Sequence, residues 1–488
     1  MSATFFGHPR GLATLFFTEM WERFTYYGMR AVLVLFLVSA VSSGGFGIDD
    51  RTATAIYGLY TAGAYLACLP GGWIADRLIG ARRAVLAGGI GIALGNALLA
   101  TSATPQSFYM GLFVIVLGVG LLKPNVSAMV AELYPEGGAR LDAGFTVFYM
   151  GINVGATLGP LVTGEAQELV GPRAGFGAAA LFMGLGVLQY YWTQRYLGEA
   201  GMSAAGGNAG ARRKAWRRFW VVAAFAGVAA AACSFGWIPL DPLRIAHLST
   251  LLIAATAILY FGYLFTAAKL TGDEKKRALV ILALFLGSAL FWSGYEQAGS
   301  SLNLFAERYT DRSVGHFVIP AGWFQSLNPA FVIIFAPMVA WVWIALARRY
   351  LNPSAPAKFA IGVILMGSGF LAMAAASRIV AGGSKVLPYW LIATYLLHTF
   401  GELCLSPVGL SYTTKLAPKR FVGQLMGMWF LSLSLGNLAA GLIAGEFDAN
   451  NTNAMPGQYM HIVYFAVGLG AVLLAISRPV KKLMGNIA

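Results

Sequence analysis

The chain has 488 residues, of which 58% are hydrophobic and only 11% charged, with a net charge of +14. Soluble domains carry about 25% charged residues, so this composition excludes an ordinary soluble enzyme, a disordered chain and a disulfide-stapled secreted scaffold. The apolar runs are long and solid, which excludes a transmembrane β-barrel built from alternating strands. An all-α integral membrane protein remains, in which 60 glycines allow close helix contact.

A bilayer core of about 30 Å takes about 20 apolar residues per helix. Fourteen such runs follow in chain order: 12–42, 52–75, 84–102, 106–132, 143–168, 174–195, 219–238, 246–268, 278–306, 321–346, 359–380, 387–414, 421–445 and 459–477. The first and ninth are long enough to tilt or bend. With the N-terminus placed inside, 24 of the 34 basic residues fall on the inner side, 7 on the outer side, and Arg23, Arg30 and Lys123 within runs. This bias predicts a multi-pass protein with both termini cytoplasmic, and it assigns the positive charge to topology rather than to nucleic acid. No cleavable signal peptide is expected, because the first run is long and charged in its middle. Cys68, Cys233 and Cys404 lie far apart inside runs and read as packed small hydrophobes, without disulfide or metal spacing.

Gly198 to Gly210 is rich in Gly, Ala and Ser and reads as a flexible cytoplasmic linker. A second short linker surrounds Asp273-Glu274-Lys275-Lys276-Arg277. The division that follows is 1–198 as a six-helix bundle, 199–274 as linker plus two extra helices, and 275–488 as a second six-helix bundle. An internal repeat agrees with it. Pro124 and Pro135 are spaced like Pro407 and Pro418, and Phe148-Tyr149, Gly155 and Gly164-Glu165 match Trp429-Phe430, Gly436 and Gly445-Glu446. An even number of helices between the copies predicts parallel halves, related by an axis along the membrane normal.

Charges at bilayer depth cost about 2.5–3.5 kcal/mol each on insertion scales, so each needs a partner or water. In the first run, Glu19, Glu22, Arg23, Tyr26, Tyr27 and Arg30 follow helical spacing and form one polar stripe. Two carboxylates share one guanidinium there, so the proton affinity of one Glu depends on where Arg23 points; the alternative is a static ion-pair cluster. Lys123 precedes Pro124, Glu296 lies four residues after Trp292, and Glu402 lies four before Ser406 in a helix expected to break at Pro407. Cations in the first half and carboxylates in the second invite cross-half pairs that rocking would open, or a permanent staple. His398, four residues before Glu402, reads as a packed residue or a relay. Tyr57, Tyr60 and Tyr65 are cavity-lining or interfacial, and Asn153 and Asn328 bind ligand or cross-link helices. There is no nucleotide-binding loop, metal spacing or nucleophile triad, which argues against an ATP-driven pump or an enzyme.

At these residues the sequence resembles the proton-coupled oligopeptide transporter family of the major facilitator superfamily. Glu19-x-x-Glu22-Arg23-Phe24-x-Tyr26-Tyr27 is similar to its first-helix motif, Phe148-Tyr149-x-x-Ile152-Asn153-x-Gly155 to its fifth, and Gly401-Glu402-Leu403-x-x-Ser406-Pro407 to its tenth. Gly72-x-x-Ala75-Asp76-Arg77 with Gly80 and Arg82-Arg83 resembles the superfamily's loop motif between helices two and three. The resemblance implies a 14-helix (6 + 2 + 6) fold of two pseudo-symmetric halves, the extra pair being like that of bacterial members. It implies proton-coupled symport of di- and tripeptides by a monomer in the lipid bilayer of the cell inner membrane, without a cofactor. By the same resemblance Glu19, Glu22, Arg23 and Glu296 couple protons, and Arg23, Tyr27 and Lys123 hold the peptide carboxylate. Asn153, Asn328 and Glu402 face the amino terminus, while Tyr26, Tyr65, Trp292, Ser406 and Trp429 line side-chain pockets. Arg30 with Glu296, and Lys123 with Glu402, form outer and inner gate pairs. Animal members carry a histidine on the second helix where Gly58 stands here, so proton handling rests on the carboxylates. The alternatives are another small solute on the same fold (nitrate or a drug), a peptide-sensing transceptor, or a membrane-embedded lipid enzyme, for which no polar catalytic cluster is evident.

Overall fold

The computed structural model describes residues 4–202, 209–234, 240–351, 353–447 and 451–484. The middle of the first linker and the Cys233 side chain therefore lie outside the described residues. Among the described residues the chain's regular structure is helical, apart from an isolated bridge between Thr310 and Val386 and two small hairpins: β1 (Thr4–Phe5) with β2 (His8–Pro9), and β3 (Ser313–Val314) with β4 (Phe317–Val318). Its contacts divide into two units. Met1–Val32, Ser39–Gly47 and Gly63–Ile245 form the first, and Leu33–Val38, Ile48–Ala62 and Ala246–Ala488 the second.

α1 (Arg10–Val38) belongs to the first unit as far as Val32, and most of the helix that follows it, to Ala62, to the second; the Arg10 guanidinium lies 3.7 Å over the Tyr196 ring. The second apolar run divides into α2 (Asp50–Leu66) and α3 (Cys68–Ile74), followed by a π-helical turn at Ala75–Ile79. The division falls at Ala67, whose carbonyl lies against Gly120, where a Cβ would have no room. Next come α4 (Ala81–Thr101), α5 (Pro105–Glu132), α6 (Gly138–Val170) and α7 (Ala174–Thr193). α5 starts with Pro105 after a Thr104 cap that exchanges bonds with Ser107, satisfying donors a helix start leaves open. α4 packs along α5 and α7. α6 closes on α1 through glycines: a Cβ at Gly155 would meet the Met20 carbonyl and Phe24 N, one at Gly159 the Phe24 carbonyl, and one at Gly28 Thr163. Thr163 also donates to the Gly28 carbonyl at 2.8 Å.

α8 (Ala209–Ser234) and α9 (Pro242–Thr266) follow, with many exposed apolar side chains such as Phe225 and Leu259. The second unit continues with α10 (Gly272–Tyr295), opened by a Thr271–Glu274 capping box. The long ninth run is broken rather than bent smoothly. α10 ends at Tyr295, a 3₁₀ turn covers Glu296–Gly299, and α11 (Ser301–Tyr309) resumes. Local polar bonds hold the break: Gln297 donates to the Ser293 carbonyl at 3.2 Å and accepts from Ser301 Oγ at 2.8 Å. α12 (Leu327–Arg348), α13 (Ala355–Ala381), α14 (Tyr389–Leu416), α15 (Val422–Ala444), α16 (Met455–Ala475) and α17 (Ser477–Leu483) complete it. α13 packs along α14 and α16, and α10 along α15.

One expectation changes. Pro407 does not break its helix: α14 runs uninterrupted from Tyr389 to Leu416, since membrane helices tolerate proline where neighbours satisfy the freed carbonyl. Eleven described helical segments are long and apolar enough to cross a membrane. The other three expected spans correspond to α1, which carries Glu19, Glu22, Arg23 and Arg30, to α2, which has 17 residues, and to α8, whose start is rich in Arg.

Candidate functional site

In the first unit the polar stripe of α1 is buried. Glu19 is 2% exposed, Glu22 0% and Arg23 4%. Arg23 Nε lies 3.2 Å from Glu19 Oε1 and also donates to Glu22 Oε2. Among the described residues Glu19 Oε2, Glu22 Oε1 and Arg23 Nη2 have no hydrogen-bond partner, so the cluster keeps two acceptors and a donor unspent in a buried place. Such groups call for water, a proton or a ligand. The Arg23 guanidinium lies 5.1 Å from the Tyr26 ring centre, and Arg30 lies 4.7 Å from that of Tyr27. From α5, Lys123 Nζ sits 4.0 Å over the Tyr65 ring, close enough for its charge to act on Arg23, Glu22 and Glu19. Asn153 on α6 donates to the Tyr149 carbonyl at 3.0 Å. The glycine contacts between α1 and α6 set Asn153 and the carboxylates on adjoining helices.

In the second unit the break after Tyr295 presents two carboxyl sites. Glu296 is 3% exposed and accepts from the Tyr57 hydroxyl at 3.1 Å. Glu402 on α14 is half-buried within a network: its Oε2 receives Tyr295 at 2.8 Å and Asn328 Nδ2 at 3.0 Å. Tyr295 is also 2.7 Å from Asn328 Oδ1, and Asn328 Nδ2 is 3.0 Å from Thr399 Oγ1. The Tyr295 ring stacks on Phe291 and meets Trp292 edge-on. Among the described residues Trp292 Nε1 and Ser406 Oγ are buried without a hydrogen-bond partner, and Trp429 lies against Gly409, where α14 has no side chain to obstruct it. His398 is buried, with its ring on Phe370.

The structure thus gathers Glu19, Glu22, Arg23, Tyr26 and Arg30 along one helix, with Lys123 and Tyr65 beside each other. Asn328 and Glu402 meet directly. Each expected gate pair, Arg30 with Glu296 and Lys123 with Glu402, has its two members in different units. Sequence reading left three groups unassigned. Tyr295 and Thr399 join the Glu402 network. Asp50 receives Arg308 through two bonds of 2.5 and 2.8 Å, while Arg51 donates to the Gly445 carbonyl at 3.2 Å. Tyr295 had one sequence signal, its place immediately before Glu296; the Asp50–Arg308 pair had none, its members being 258 positions apart.

A buried Glu19–Glu22–Arg23 cluster in one unit and a half-buried Glu402 network in the other, on a helical frame with segments of membrane-spanning length, suit a transporter of charged solutes. The sequence profile of the POT family matches residues 82–462. The chain is 44% identical to the peptide transporter YePEPT of Yersinia enterocolitica, over 99% of this chain and 96% of that one. It is 35% identical to a di-/tripeptide transporter of Lactococcus lactis subsp. cremoris, over 99% and 98%. Among solved structures, a peptide transporter POT in complex with sulfate superposes with a TM-score of 0.92 at 40% identity, covering 99% of this chain and 97% of that one. A POT family transporter in complex with 5-aminolevulinic acid superposes with a TM-score of 0.89 at 33% identity, covering 99% of each. The chain belongs to the POT family.

Proposed function

We propose that the protein is a secondary active transporter that takes up di- and tripeptides together with protons by alternating access. The single observation that carries this reading is the buried Glu19–Glu22–Arg23 cluster with its unspent oxygens and nitrogen. A peptide carries opposite charges a few Å apart. Arg23, Lys123 and Tyr27 would take its carboxylate, and Glu402, Asn328 and Asn153 its ammonium group. Tyr26, Tyr65, Trp292, Ser406 and Trp429 would surround variable side chains loosely enough to accept many sequences.

In this cycle a peptide carboxylate draws Arg23 away from its carboxylates, and a proton on Glu19 or Glu22 replaces the lost charge. Glu296 supplies a further proton site. Opening and closing of Arg30–Glu296 and Lys123–Glu402 alternates access. Inward proton movement supplies about 2.3 kcal/mol per 100 mV, roughly fifty-fold accumulation per coupled proton. The frame proposed is fourteen helices in a 6 + 2 + 6 order, with residues 1–198 and 275–488 as parallel halves of a major facilitator fold and 199–274 between them. It acts as a monomer in the cell inner membrane with both termini cytoplasmic. Related proteins of the family that take non-peptide cargo offer a second reading, but Glu402 would repel an anion such as nitrate.

The test is uptake of labelled dialanine into proteoliposomes under an inside-negative potential. Wild type concentrates the label. Glu22→Gln loses accumulation, by at least the roughly fifty-fold of one proton, yet retains counterflow exchange. Concentrative uptake by that variant would remove the coupling assignment.

A further inference from the structure

The hydrogen bonds around Glu402 contain a count that fixes a proton. Thr399 donates its only hydroxyl proton to the Tyr395 carbonyl at 2.7 Å, so its oxygen can only accept from Asn328. Asn328 therefore turns Nδ2 toward Thr399 and Glu402, and Oδ1 toward Tyr295. The Tyr295 hydroxyl then stands 2.7 Å from Asn328 Oδ1 and 2.8 Å from Glu402 Oε2, two acceptors for one proton. With Glu402 ionised, Tyr295 serves the carboxylate, and two oxygens face each other at 2.7 Å without a proton between them. With Glu402 protonated, each of these contacts has its proton: Glu402 donates to Tyr295, and Tyr295 donates to Asn328.

We propose that Tyr295 is a positioning residue that holds Glu402 in its protonated form while the site is empty, making Glu402 a proton site exchanged for the ammonium group of the cargo. When the ammonium group arrives, the Glu402 O–H bond breaks and its proton leaves to water. Tyr295 turns its own O–H to the carboxylate. Asn328 Oδ1 is released, and both it and Glu402 accept N–H bonds from the cargo. The ionisable groups on the neighbouring elements of this unit are as follows. α10 contributes Tyr295, with Glu296 next to it turned to Tyr57. α14 contributes His398 one turn away and Cys404, and α13 contributes Lys358, which acts on Cys404. α12 has no ionisable side chain before Arg348, and α15 has none. Lys123 sits over Tyr65 in the first unit.

The inference rests on the peptide-transport reading only for the identity of the ammonium group, and the experiment separates the two. Infrared difference spectra of the reconstituted full chain are titrated without peptide. A protonated-carboxyl C=O band is expected at neutral pH in wild type and absent from Glu402→Gln. Tyr295→Phe removes the acceptor for the Glu402 proton, so the midpoint for loss of the band falls by about one pH unit or more, a tenfold change in proton affinity. Thr399→Val, which frees the Asn328 amide to turn, shifts the midpoint the same way and serves if Tyr295→Phe does not fold. A residue that merely packs would leave the midpoint in place, and one that stabilises the carboxylate would raise it on removal; either result overturns the proposal, as does superposition of the wild-type and Glu402→Gln spectra. Added dialanine bleaches the band; a band that persists with dialanine bound, by a separate binding measurement, overturns the exchange. Failure of dialanine to bind removes the peptide reading and leaves the peptide-free titration to decide the proton site.

Discussion

Position 58 shows what packing adds to a sequence pattern. A Cβ built on Gly58 meets the Asn437 carbonyl at 3.1 Å and Gly441 Cα at 3.2 Å, both backbone atoms of α15 that cannot swing aside. The residue reads in sequence as a missing histidine; in the structure it is a seat for another helix. Gly58→His is expected to lose about 1–3 kcal/mol through overpacking, seen as a lower unfolding temperature in detergent. Wild-type stability in that variant would show that α15 yields more easily than its backbone contacts suggest. The acid–base residues of α1 were legible because their spacing alone puts Glu19 and Arg23 one turn apart. The role of Tyr295 was not, because its partners Asn328 and Glu402 lie 33 and 107 positions away and only the fold brings them together.

Among the elements, hydropathy placed the apolar runs, but their interruptions come from contacts. α2 and α3 part at Ala67, whose carbonyl presses on the Gly120 backbone. The break after Tyr295 is held by Gln297 and by Tyr57, whose hydroxyl lies where Gly299 lacks a side chain. Hydropathy averages over such atoms, so the ninth run looked continuous. Helix starts were easier to explain than to foresee. Asp49 precedes α2 and accepts the Thr52 amide at 3.0 Å. Partial burial raises its pKa, but the bonds from Thr52 outweigh this and leave it below the ordinary aspartate value. A carboxyl depressed in the folded state stabilises above its unfolded pKa of about 3.9 and loses that contribution as pH falls through the folded value. Asp49→Ala should therefore cost about 1 kcal/mol at neutral pH. The difference in melting temperature from wild type should close in acid, below about pH 4; a gap that stays constant would mean the cap is not electrostatic.

At the scale of the whole molecule, the distribution of Lys and Arg makes the sharpest statement. The orientation proposed from it would put the β3–β4 hairpin outside the cell and α17 inside. In intact cells, a membrane-impermeant thiol reagent should label Ser313→Cys and should reach Lys481→Cys only after lysis; the reverse pattern would invert the topology. Ser313 and Lys481 are both exposed, so access to each depends on the bilayer alone. The glycine seam between α1 and α6 has a mechanical result. Backbone touches backbone at Gly28, Gly155 and Gly159, and Thr163 pins the seam with a bond to Gly28. The two helices cannot slide or spread without tearing it, so they behave as one stiff plank. The Glu19–Glu22–Arg23 group and Asn153 ride on that plank at a constant separation, like marks on a ruler, while other parts of the carrier supply the travel.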